Sequence, residues 1–457
     1  MRFDRRMSDT EALMWTIEKD PALRSSFLQI TILDQQPDYE RFRGRMARAV
    51  ELLPRLRQRP SPAPVRLAPP AWEDDASFDL DYHVRHLAVP APGTDRQLLD
   101  LAAVLYEDAF DRARPLWNIT IVDGLEGGRA ALLTKMHHTI TDGVGGVRLS
   151  TQFIDLARDA PDPEPVETLA NEPTQDRLVG ALAHNLRRQA GIAGRAAGNA
   201  VSLATHPRRV PALVADSAEM ARSIARQLAV VQKARSSLWT DRSLGRRFEI
   251  LSVSLDDVKR AAKGLGGTVN DLFVAAVAGG AGTYHRAKGA PVDELRMSMP
   301  VSTRDDRSAG GNAFSPTRVL VPAGIADPVE RFTAIRDRLG VTKRERAVAV
   351  FGPLAGLIGG LPTSLLVRVA RQQAETVDFA ASNLRAADFD LYVAGAKILA
   401  NHPMGPTAGT AFNATVMSYR DGFDIGINID RGAVNYPELL RDCILDSFGE
   451  LIAAGSS

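Results

Sequence analysis

The chain has 457 residues, and 56 basic against 55 acidic side chains leave a formal net charge of +1. This balance gives no indication of a nucleic-acid-binding protein, and 45% hydrophobic residues are ordinary for a globular chain of two or three domains. The single cysteine, Cys443, excludes an intramolecular disulfide and a cysteine-cluster metal site, and it indicates a reducing compartment. The basic N-terminus lacks the apolar segment of an export signal.

The first elements are predicted by the spacing of apolar residues. Leu28, Ile30 and Ile32 alternate with polar neighbours, as in a half-buried strand. Phe42 and Met46 then begin a run of apolar residues at helical spacing. The chain therefore starts with a strand followed by a helix.

The most informative stretch is a pair of adjacent histidines, His137 and His138, followed by Asp142 and Gly143. The unperturbed pKa of histidine, about 6.5, allows it to accept and return a proton near neutral pH. Residues 129–136 are mostly apolar and strand-like, and the glycines after the pair permit tight backbone turns. This pattern at the end of a strand indicates an acyl-transfer site in which a histidine activates a hydroxyl or thiol.

A purely structural interpretation of the same residues stays open. One histidine can be a hydrogen-bonded core residue, and Asp142 can cap a helix that begins near Val147. Against this, no other catalytic signature competes with the histidine pair. The sequence has no Gly-x-Ser-x-Gly elbow, no His-Glu-x-x-His zinc motif and no Walker phosphate loop.

The middle of the chain separates two halves. Residues 159–176 are rich in Pro, Asp and Glu, which is typical of a solvated connector, and residues 177–238 are alanine-rich with many arginines. This basic block is either attracted to an anionic membrane surface or a solvated helical crossover. Beyond it, residues 248–255 predict a strand, Asp256 an N-cap and residues 258–265 a helical face.

One uncharged segment has nearly the length of a membrane-spanning helix. The 21 residues between Arg346 and Arg368 carry no formal charge, and about 20 apolar residues span a bilayer. Pro353 and Pro362 would break a single straight helix. We therefore expect two short apolar helices over 347–367, either buried or in contact with lipid.

Five motifs together resemble one enzyme family. Besides the histidine motif they are Arg114-Pro115-Leu116-Trp117, Thr268-Val269-Asn270-Asp271, Pro300-Val301-Ser302-Thr303-Arg304 with Gly311-Asn312, and a group from Ser382-Asn383 to Ser418-Tyr419. They resemble the bacterial wax ester synthase/diacylglycerol acyltransferase family over nearly the full length of the chain. More distantly, the histidine motif is similar to that of CoA-dependent acyltransferases and of the condensation domains of peptide synthetases. Trp117 itself is expected to be a core aromatic.

The resemblance implies an α/β fold. It consists of two chloramphenicol-acetyltransferase-like domains, each a mixed sheet with flanking helices, which form a tunnel at their interface. Residues 1–158 would be the N-terminal acyltransferase domain with the histidine motif. Residues 159–245 would be the connector and a basic amphipathic helical crossover, and residues 246–457 the C-terminal acyltransferase domain.

The resemblance also implies a role for each motif residue. His138 would be the general base that removes the proton of the acceptor hydroxyl as its oxygen attacks the thioester carbonyl, without a covalent acyl-enzyme. His137 would support the orientation of His138. Asp142 would hold the motif loop in shape through an ion pair with Arg304, and Gly143 completes the motif. Because an unpaired buried charge costs several kcal/mol, loss of either partner should misplace His138.

Substrate or CoA binding is implied for four further residues, Asn270, Asp271, Ser382 and Asn383. Alternatively, Thr268 or Asn270 simply caps the helix that follows. After Ser-Asn the family usually continues Val-Pro-Gly-Pro, whereas this chain has Leu384-Arg385-Ala386-Ala387. The turn there must differ, which bears on acceptor choice or CoA placement and leaves the base unaffected.

The activity implied is that of an O-acyltransferase which moves a long-chain acyl group from acyl-CoA to diacylglycerol or a long-chain alcohol. Its partners would be acyl-CoA and a lipid alcohol, at a peripheral membrane or lipid-droplet surface on the cytoplasmic, inner face of the membrane. No nucleic acid, metal or cofactor is expected, and the sequence does not indicate an oligomeric state. Two alternatives stay open: another lipid or glycolipid acceptor, and a weakly active lipid-binding member of the fold.

Overall fold

Two six-stranded mixed sheets with helices packed against them form the framework of the protein. The computed structural model describes residues 4–64, 67–141, 146, 149–164, 178–186, 189–190, 234–302, 314–344 and 362–456. The predicted α/β fold with two mixed sheets is confirmed. A tunnel between the domains stays a prediction.

The strands are numbered in chain order. They are β1 (Ser26–Leu33), β2 (Gln58–Ser61), β3 (Ala71–Asp74), β4 (Val84–Ala88), β5 (Trp117–Asp123), β6 (Ala130–His137), β7 (Arg246–Ser254), β8 (Glu294–Ser302), β9 (Phe314–Pro322), β10 (Phe379–Arg385), β11 (Tyr392–Val393), β12 (Ala396–Met404), β13 (Phe412–Tyr419) and β14 (Gly422–Asp430). Strands β2 and β3 form a separate two-stranded sheet.

The helices are numbered in the same way. They are α1 (Asp9–Ile17), α2 (Tyr39–Leu52), α3 (Leu80–His83), α4 (Asp95–Glu107), α5 (Leu255–Gly264), α6 (Val269–Ala287), α7 (Pro328–Arg344), α8 (Thr363–Ala374) and α9 (Pro437–Ser456). Residues 178–186 are also helical. No helix within the described residues is long and apolar enough to cross a membrane.

The first sheet has the order β11-β12-β1-β6-β5-β4, in which only β4 and β5 run parallel. Leu28 and Ile30 of β1 are fully buried in a cluster with apolar residues of α4 and Gln29 between them is only partly buried, which confirms the predicted alternation there. Thr31 is 4% exposed, so the end of β1 is buried on both faces and the alternation does not extend to it. Phe42 of α2 packs in a second cluster with Trp117 of β5. Trp117 is fully buried and donates from Nε1 to the carbonyl of Leu56 at 2.7 Å, which confirms it as a core aromatic.

The second sheet has the order β7-β14-β13-β10-β8-β9, in which β10 runs parallel to both β13 and β8. Helices α6 and α9 pack together in its core, where Gly280 leaves no room for a Cβ atom beside Ile444. Cys443 is buried on α9.

Strands β11 and β12 come from the second half of the chain but belong to the first sheet. Strand β12 pairs antiparallel with β1, with His402 opposite Ile30. It also lies against β14, where a Cβ atom at Gly426 would collide with the carbonyl oxygen of Pro403. Two strands from the second half of the chain therefore complete the first sheet, an arrangement that the sequence did not predict. The boundaries at 158 and 245 stay a prediction.

One predicted helix start is wrong. The sequence predicted Asp256 as the N-cap, but helix α5 begins at Leu255 and its N-cap is Ser254, whose side chain accepts from the backbone N–H of Asp257. A serine hydroxyl at the last strand residue satisfies a free N–H of the first turn as well as an aspartate would. Most of the basic block at 177–238 and of the apolar segment at 347–367 lies outside the described residues.

Candidate active site

The end of β6 presents the two histidines of the motif. His137 is the last residue of β6, where it pairs with Ser26 of β1. The backbone N–H of His138 donates to the carbonyl of Ser25 at 3.0 Å, and the N–H of Ile140 donates to the carbonyl of His137 at 2.9 Å. The sequence placed the histidines where a strand ends, and this is confirmed.

His137 is locked inside the domain. Its side chain is 2% exposed, and its Nδ1 accepts from the backbone N–H of Thr139 at 3.1 Å. Because Nδ1 is an acceptor, the ring proton of neutral His137 must be on Nε2. That nitrogen lies 2.7 Å from Oε1 of Glu18. Oγ1 of Thr139 also lies 2.7 Å from Nδ1, so both ring nitrogens of His137 contact a partner atom.

Glu18 is the residue of this site that sequence reasoning missed. It caps the C-terminal end of α1, and its carboxylate also accepts from the backbone N–H of Ser25 and lies 3.6 Å from Arg112. Burial by itself raises the pKa of Glu18, but His137, the Ser25 N–H and Arg112 together outweigh it and lower the pKa. Glu18 is therefore ionised at neutral pH. The only sequence signal was an acidic residue shortly after the Ser8–Glu11 capping box of α1.

His138 has a different environment from its neighbour. The residue is only partly buried, and its ring centroid lies 4.9 Å from that of Phe27 at an angle of 46°. Phe27 belongs to β1, so the strand that anchors the backbone of His138 also supports its ring. Of the two histidines, His138 is thus the less buried residue.

The remaining residues of the motif lie outside the described residues. These are Asp142 and Gly143, and Arg304, the predicted partner of Asp142, also lies outside them. The ion pair between Asp142 and Arg304 stays a prediction.

Two of the predicted binding residues come together. Asn270 in the first turn of α6 lies with its Oδ1 3.5 Å from Nδ2 of Asn383 on β10. Asn270 Nδ2 also lies 3.9 Å from the sulfur of Met299. Asn383 is exposed and Asn270 is partly exposed, so both amides are accessible.

The other two predicted binding residues have structural contacts of their own. Asp271 is 4% exposed and forms a capping box with Thr268, whose backbone N–H and hydroxyl lie 2.8 and 2.7 Å from its Oδ2. Thr268 is thus the N-cap of α6, and the capping alternative is confirmed for Thr268 and not for Asn270. Ser382 lies opposite Thr415 in the parallel pair of β10 and β13. The binding roles of Asp271 and Ser382 stay predictions.

Where the chain departs from the family sequence, at residues 384–387, the pairing of β10 with β13 continues. Strand β10 continues through Leu384 and Arg385, which pair with Met417 and Ser418 of β13. The N–H of Ala386 then donates to the carbonyl of Ser418 at 2.9 Å. In the family sequence glycine would stand at position 386 and keep this N–H, whereas prolines would stand at 385 and 387, where each fixes its own φ and restricts the residue before it.

Metal-binding clusters were sought throughout the described ranges. No group of three or more His, Cys, Asp or Glu side chains there could hold a metal ion. The expectation that the reaction uses no metal and no cofactor stays a prediction.

The chain matches two family models and several named relatives. Residues 7–273 match the wax ester synthase/diacylglycerol acyltransferase catalytic domain, and residues 310–452 match the C-terminal domain of the same family. A Mycobacterium tuberculosis protein with the provisional name diacylglycerol O-acyltransferase is 34% identical over 466 residues, which cover 99% of this chain and 92% of the relative. The chain belongs to the wax ester synthase/diacylglycerol acyltransferase family. It is therefore an acyltransferase.

A second Mycobacterium tuberculosis relative with the same provisional name is 32% identical to this acyltransferase over 98% of the chain and 97% of the relative. Among solved structures, the wax ester synthase/diacylglycerol acyltransferase of Marinobacter aquaeolei VT8 superposes with a TM-score of 0.68 at 21% identity, over 99% of this chain and 100% of that one. The first condensation domain of the calcium-dependent antibiotic synthetase superposes with a TM-score of 0.61 at 14% identity, over 99% and 97%. At these identities the two structures show a shared fold.

Proposed function

We propose that this acyltransferase moves a long-chain acyl group from acyl-CoA to the hydroxyl of diacylglycerol or a long-chain alcohol, with His138 as the general base. Membership of the family and the names of the relatives support this substrate class. The observation that carries the assignment of the base is the contrast between the two histidines. His137 is buried with both ring nitrogens in contact with partner atoms, whereas His138 is only partly buried as a residue.

The proposed step balances without a covalent intermediate. The hydroxyl oxygen of the acceptor forms a bond to the thioester carbonyl carbon while its proton passes to the imidazole of His138. The carbon–sulfur bond then breaks, and the thiolate of CoA takes the proton back from the imidazolium. The products are an ester and free CoA, and His138 returns to its neutral form. Proton transfer by a positioned side chain contributes roughly 10²- to 10⁴-fold to a rate.

The neighbouring residues support such a base by holding it in place. The chain that leads into His138 is held in place, since the side chain of His137 contacts Glu18 and the N–H of His138 donates to the carbonyl of Ser25. Both contacts lead to residues 18–25, just before β1. Phe27 on that strand limits the rotation of the His138 ring. A base held in this way loses little entropy when the reactants meet.

We further propose that Asn270 and Asn383 contact the substrates on the opposite wall of the site. Their accessible amides lie 3.5 Å apart and combine donors with acceptors, which suits the amide groups of the CoA arm or the ester groups of a glyceride. A double substitution to alanine should raise KM more than it lowers kcat. Equal KM values for the variant and the wild type would refute this role.

A second candidate function, transfer to another lipid or glycolipid acceptor, is favoured by the extended end of β10. Replacing residues 384–387 by Val-Pro-Gly-Pro tests it directly, because only this end of β10 changes. The wild type and this variant are each given one labelled acyl-CoA and a panel of diacylglycerol, hexadecanol, lysolipid and glycolipid. Their acceptor preferences should differ if this end of β10 selects the acceptor. An identical ranking would show that it does not.

The main proposal is tested by release of free CoA from purified protein. Release that depends on an added lipid alcohol supports acyl transfer and excludes a lipid-binding member without activity. Peripheral membrane attachment, proposed from the basic block at 177–238, is tested separately by sedimentation with vesicles. Binding should require anionic lipid and weaken with salt, since exposed charges are screened over about 8–10 Å at physiological ionic strength.

A further inference from the structure

A cavity on the other side of the catalytic strand has no part in the proposed reaction. It has a volume of about 200 Å³ and lies between the first sheet, the C-terminal end of α4 and the α3–β4 segment. Register pairs Lys135 of β6 with Leu28 on one side and with Asn118 on the other, so these three side chains share one face of the sheet. Leu133 and Thr120 form the next pair of the lining.

Lys135 brings a buried positive charge to this cavity. The residue is 6% exposed, and its ammonium group donates to the carbonyl oxygens of Leu105 and Asp108 at the end of α4. An ammonium group has three N–H donors, and these two partners are neutral. These hydrogen bonds leave one N–H donor for a ligand. The Asp108 carboxylate also lines the cavity and attracts Lys135, so with Arg85 the lining carries two positive charges and one negative charge. An anion in the cavity would balance the remaining positive charge.

The rest of the cavity lining indicates the chemical groups and the size of that anion. Arg85 adds a second positive charge, and Asn118 and Thr120 add neutral hydrogen-bonding groups. Leu28, Leu133 and Phe110 are apolar, so part of the ligand must be apolar as well. A water molecule in the liquid occupies about 30 Å³. If each non-hydrogen atom of a ligand takes a similar volume, the cavity holds roughly seven of them. These properties fit a carboxylate on a short alkyl chain.

We propose that this cavity is a binding site for a short-chain carboxylate, held by Lys135 and Arg85. Phe110 connects it to the motif, since the Lys135 ammonium lies 4.6 Å from the centre of the Phe110 ring and that ring lies 6.5 Å from the ring of His137. A bound carboxylate would fix Phe110 between the cavity and the His137–Glu18 pair. The site is separate from the face on which His138 acts.

The experiment is calorimetric titration of the full-length protein with sodium pentanoate, 1-pentanol and sodium phosphate at pH 7. We expect one pentanoate per chain, with pentanol and phosphate each binding at least about tenfold more weakly. Lys135→Met should weaken pentanoate binding at least about tenfold, and the exposed Lys259→Met on α5 should leave it unchanged. Absence of saturable pentanoate binding, pentanol binding as tightly as pentanoate, or tighter binding of phosphate would each overturn the proposal.

A second variant covers the case in which Lys135→Met does not fold. Arg85 is partly exposed and its Nε donates to the carbonyl of Tyr82, so Arg85→Gln should keep the fold. It should weaken pentanoate binding severalfold, and unchanged binding would contradict the proposal.

The pH dependence of binding gives an independent readout. Burial lowers the pKa of Lys135 to about 8, an effect that Asp108 opposes and that Arg24 and Arg85 reinforce. Lys135 therefore loses its charge as pH rises from 7 to 9. Pentanoate affinity should fall over this range in the wild type and stay flat in Lys135→Met. A flat profile in the wild type would overturn the role of Lys135.

Discussion

Oε1 of Glu18 lies 2.7 Å from Nε2 of His137, and this contact joins the end of α1 to the end of the catalytic strand. Both side chains are almost completely shielded from solvent. Trp15 and Phe110 flank the His137 ring edge-on, with centroids 6.0 and 6.5 Å away. These contacts fix the side chain of His137, and its proposed role is to position His138.

Replacing the carboxylate of Glu18 by an amide should destabilise the protein. Glu18→Gln keeps an oxygen acceptor for His137 but removes the charge, and hydrogen bonds to charged groups contribute about 1.5–3 kcal/mol. We expect the free energy of unfolding to fall by about 1–2 kcal/mol in urea denaturation. The exposed Glu40→Gln on α2 is the control and should change it by less than about 0.5 kcal/mol. Equal losses in both variants would show that the contact with His137 contributes nothing.

The contribution of Glu18 should also depend on pH. Because the folded-state pKa of Glu18 lies below its ordinary value of 4.5, the unfolded state binds the proton first as pH falls. The contribution is therefore fully present above about pH 5.5 and is lost as pH falls through 4.5 to the folded pKa. The stability difference between the wild type and Glu18→Gln should shrink between pH 6 and pH 4. A difference that grows over this range would have the wrong sign.

His83 should make the N-terminal domain sensitive to acid. Its ring is fully buried and stacks on Trp117 at 4.5 Å, and burial lowers its pKa from 6.5 to about 4, although its hydrogen bond to the Trp117 carbonyl acts in the opposite direction. The folded state binds fewer protons than the unfolded state between these values, so stability must fall as pH falls from 6.5 towards 4. His83→Gln keeps a donor for Trp117 and should show a shallower loss in denaturation series at pH 6.5, 5.5 and 4.5. An equally steep loss in the variant would exclude His83 as its source.

The contact between β12 and β14 should tolerate no added side-chain atom. Gly426→Ala would place a methyl group against the Pro403 carbonyl oxygen, and overpacking of this kind costs about 1–3 kcal/mol. The control is Gly340→Ala on α7, where nothing lies within 4 Å of the new atom. That change should raise stability by about 0.5–1 kcal/mol, because glycine weakens a helix interior. Thermal unfolding distinguishes the two, and a neutral Gly426→Ala would argue against close packing between the halves.

Local patterns predicted local structure well. The alternation at the start of β1 and the helical spacing of Phe42 and Met46 in α2 follow from apolar periodicity, which depends only on near neighbours in the chain. The N-cap of α5 was misplaced by two residues, since Ser254 and Asp256 are both good caps and strand pairing decides between them.

Contacts between distant parts of the chain could not be predicted in this way. Nothing in residues 396–404 predicts that β12 pairs with β1, which lies more than 350 residues earlier in the chain. Glu18 was missed for the same reason, since an acidic residue after a helix is usually solvated and only the fold brings it to His137. The histidine motif was found from its own residues; the resemblance to a family implied roles for the members of that motif but gave none to Glu18.

The most direct test of the account is the rate of acyl transfer after His138→Ala, measured as CoA released from acyl-CoA in the presence of diacylglycerol. His86→Ala is the matched control, because His86 lies on β4 and its ring contacts Asp123 and Tyr39. The account predicts that kcat falls roughly 10²- to 10⁴-fold for His138→Ala and is unchanged for His86→Ala. Full activity in folded His138→Ala would contradict the assignment of His138 as the general base.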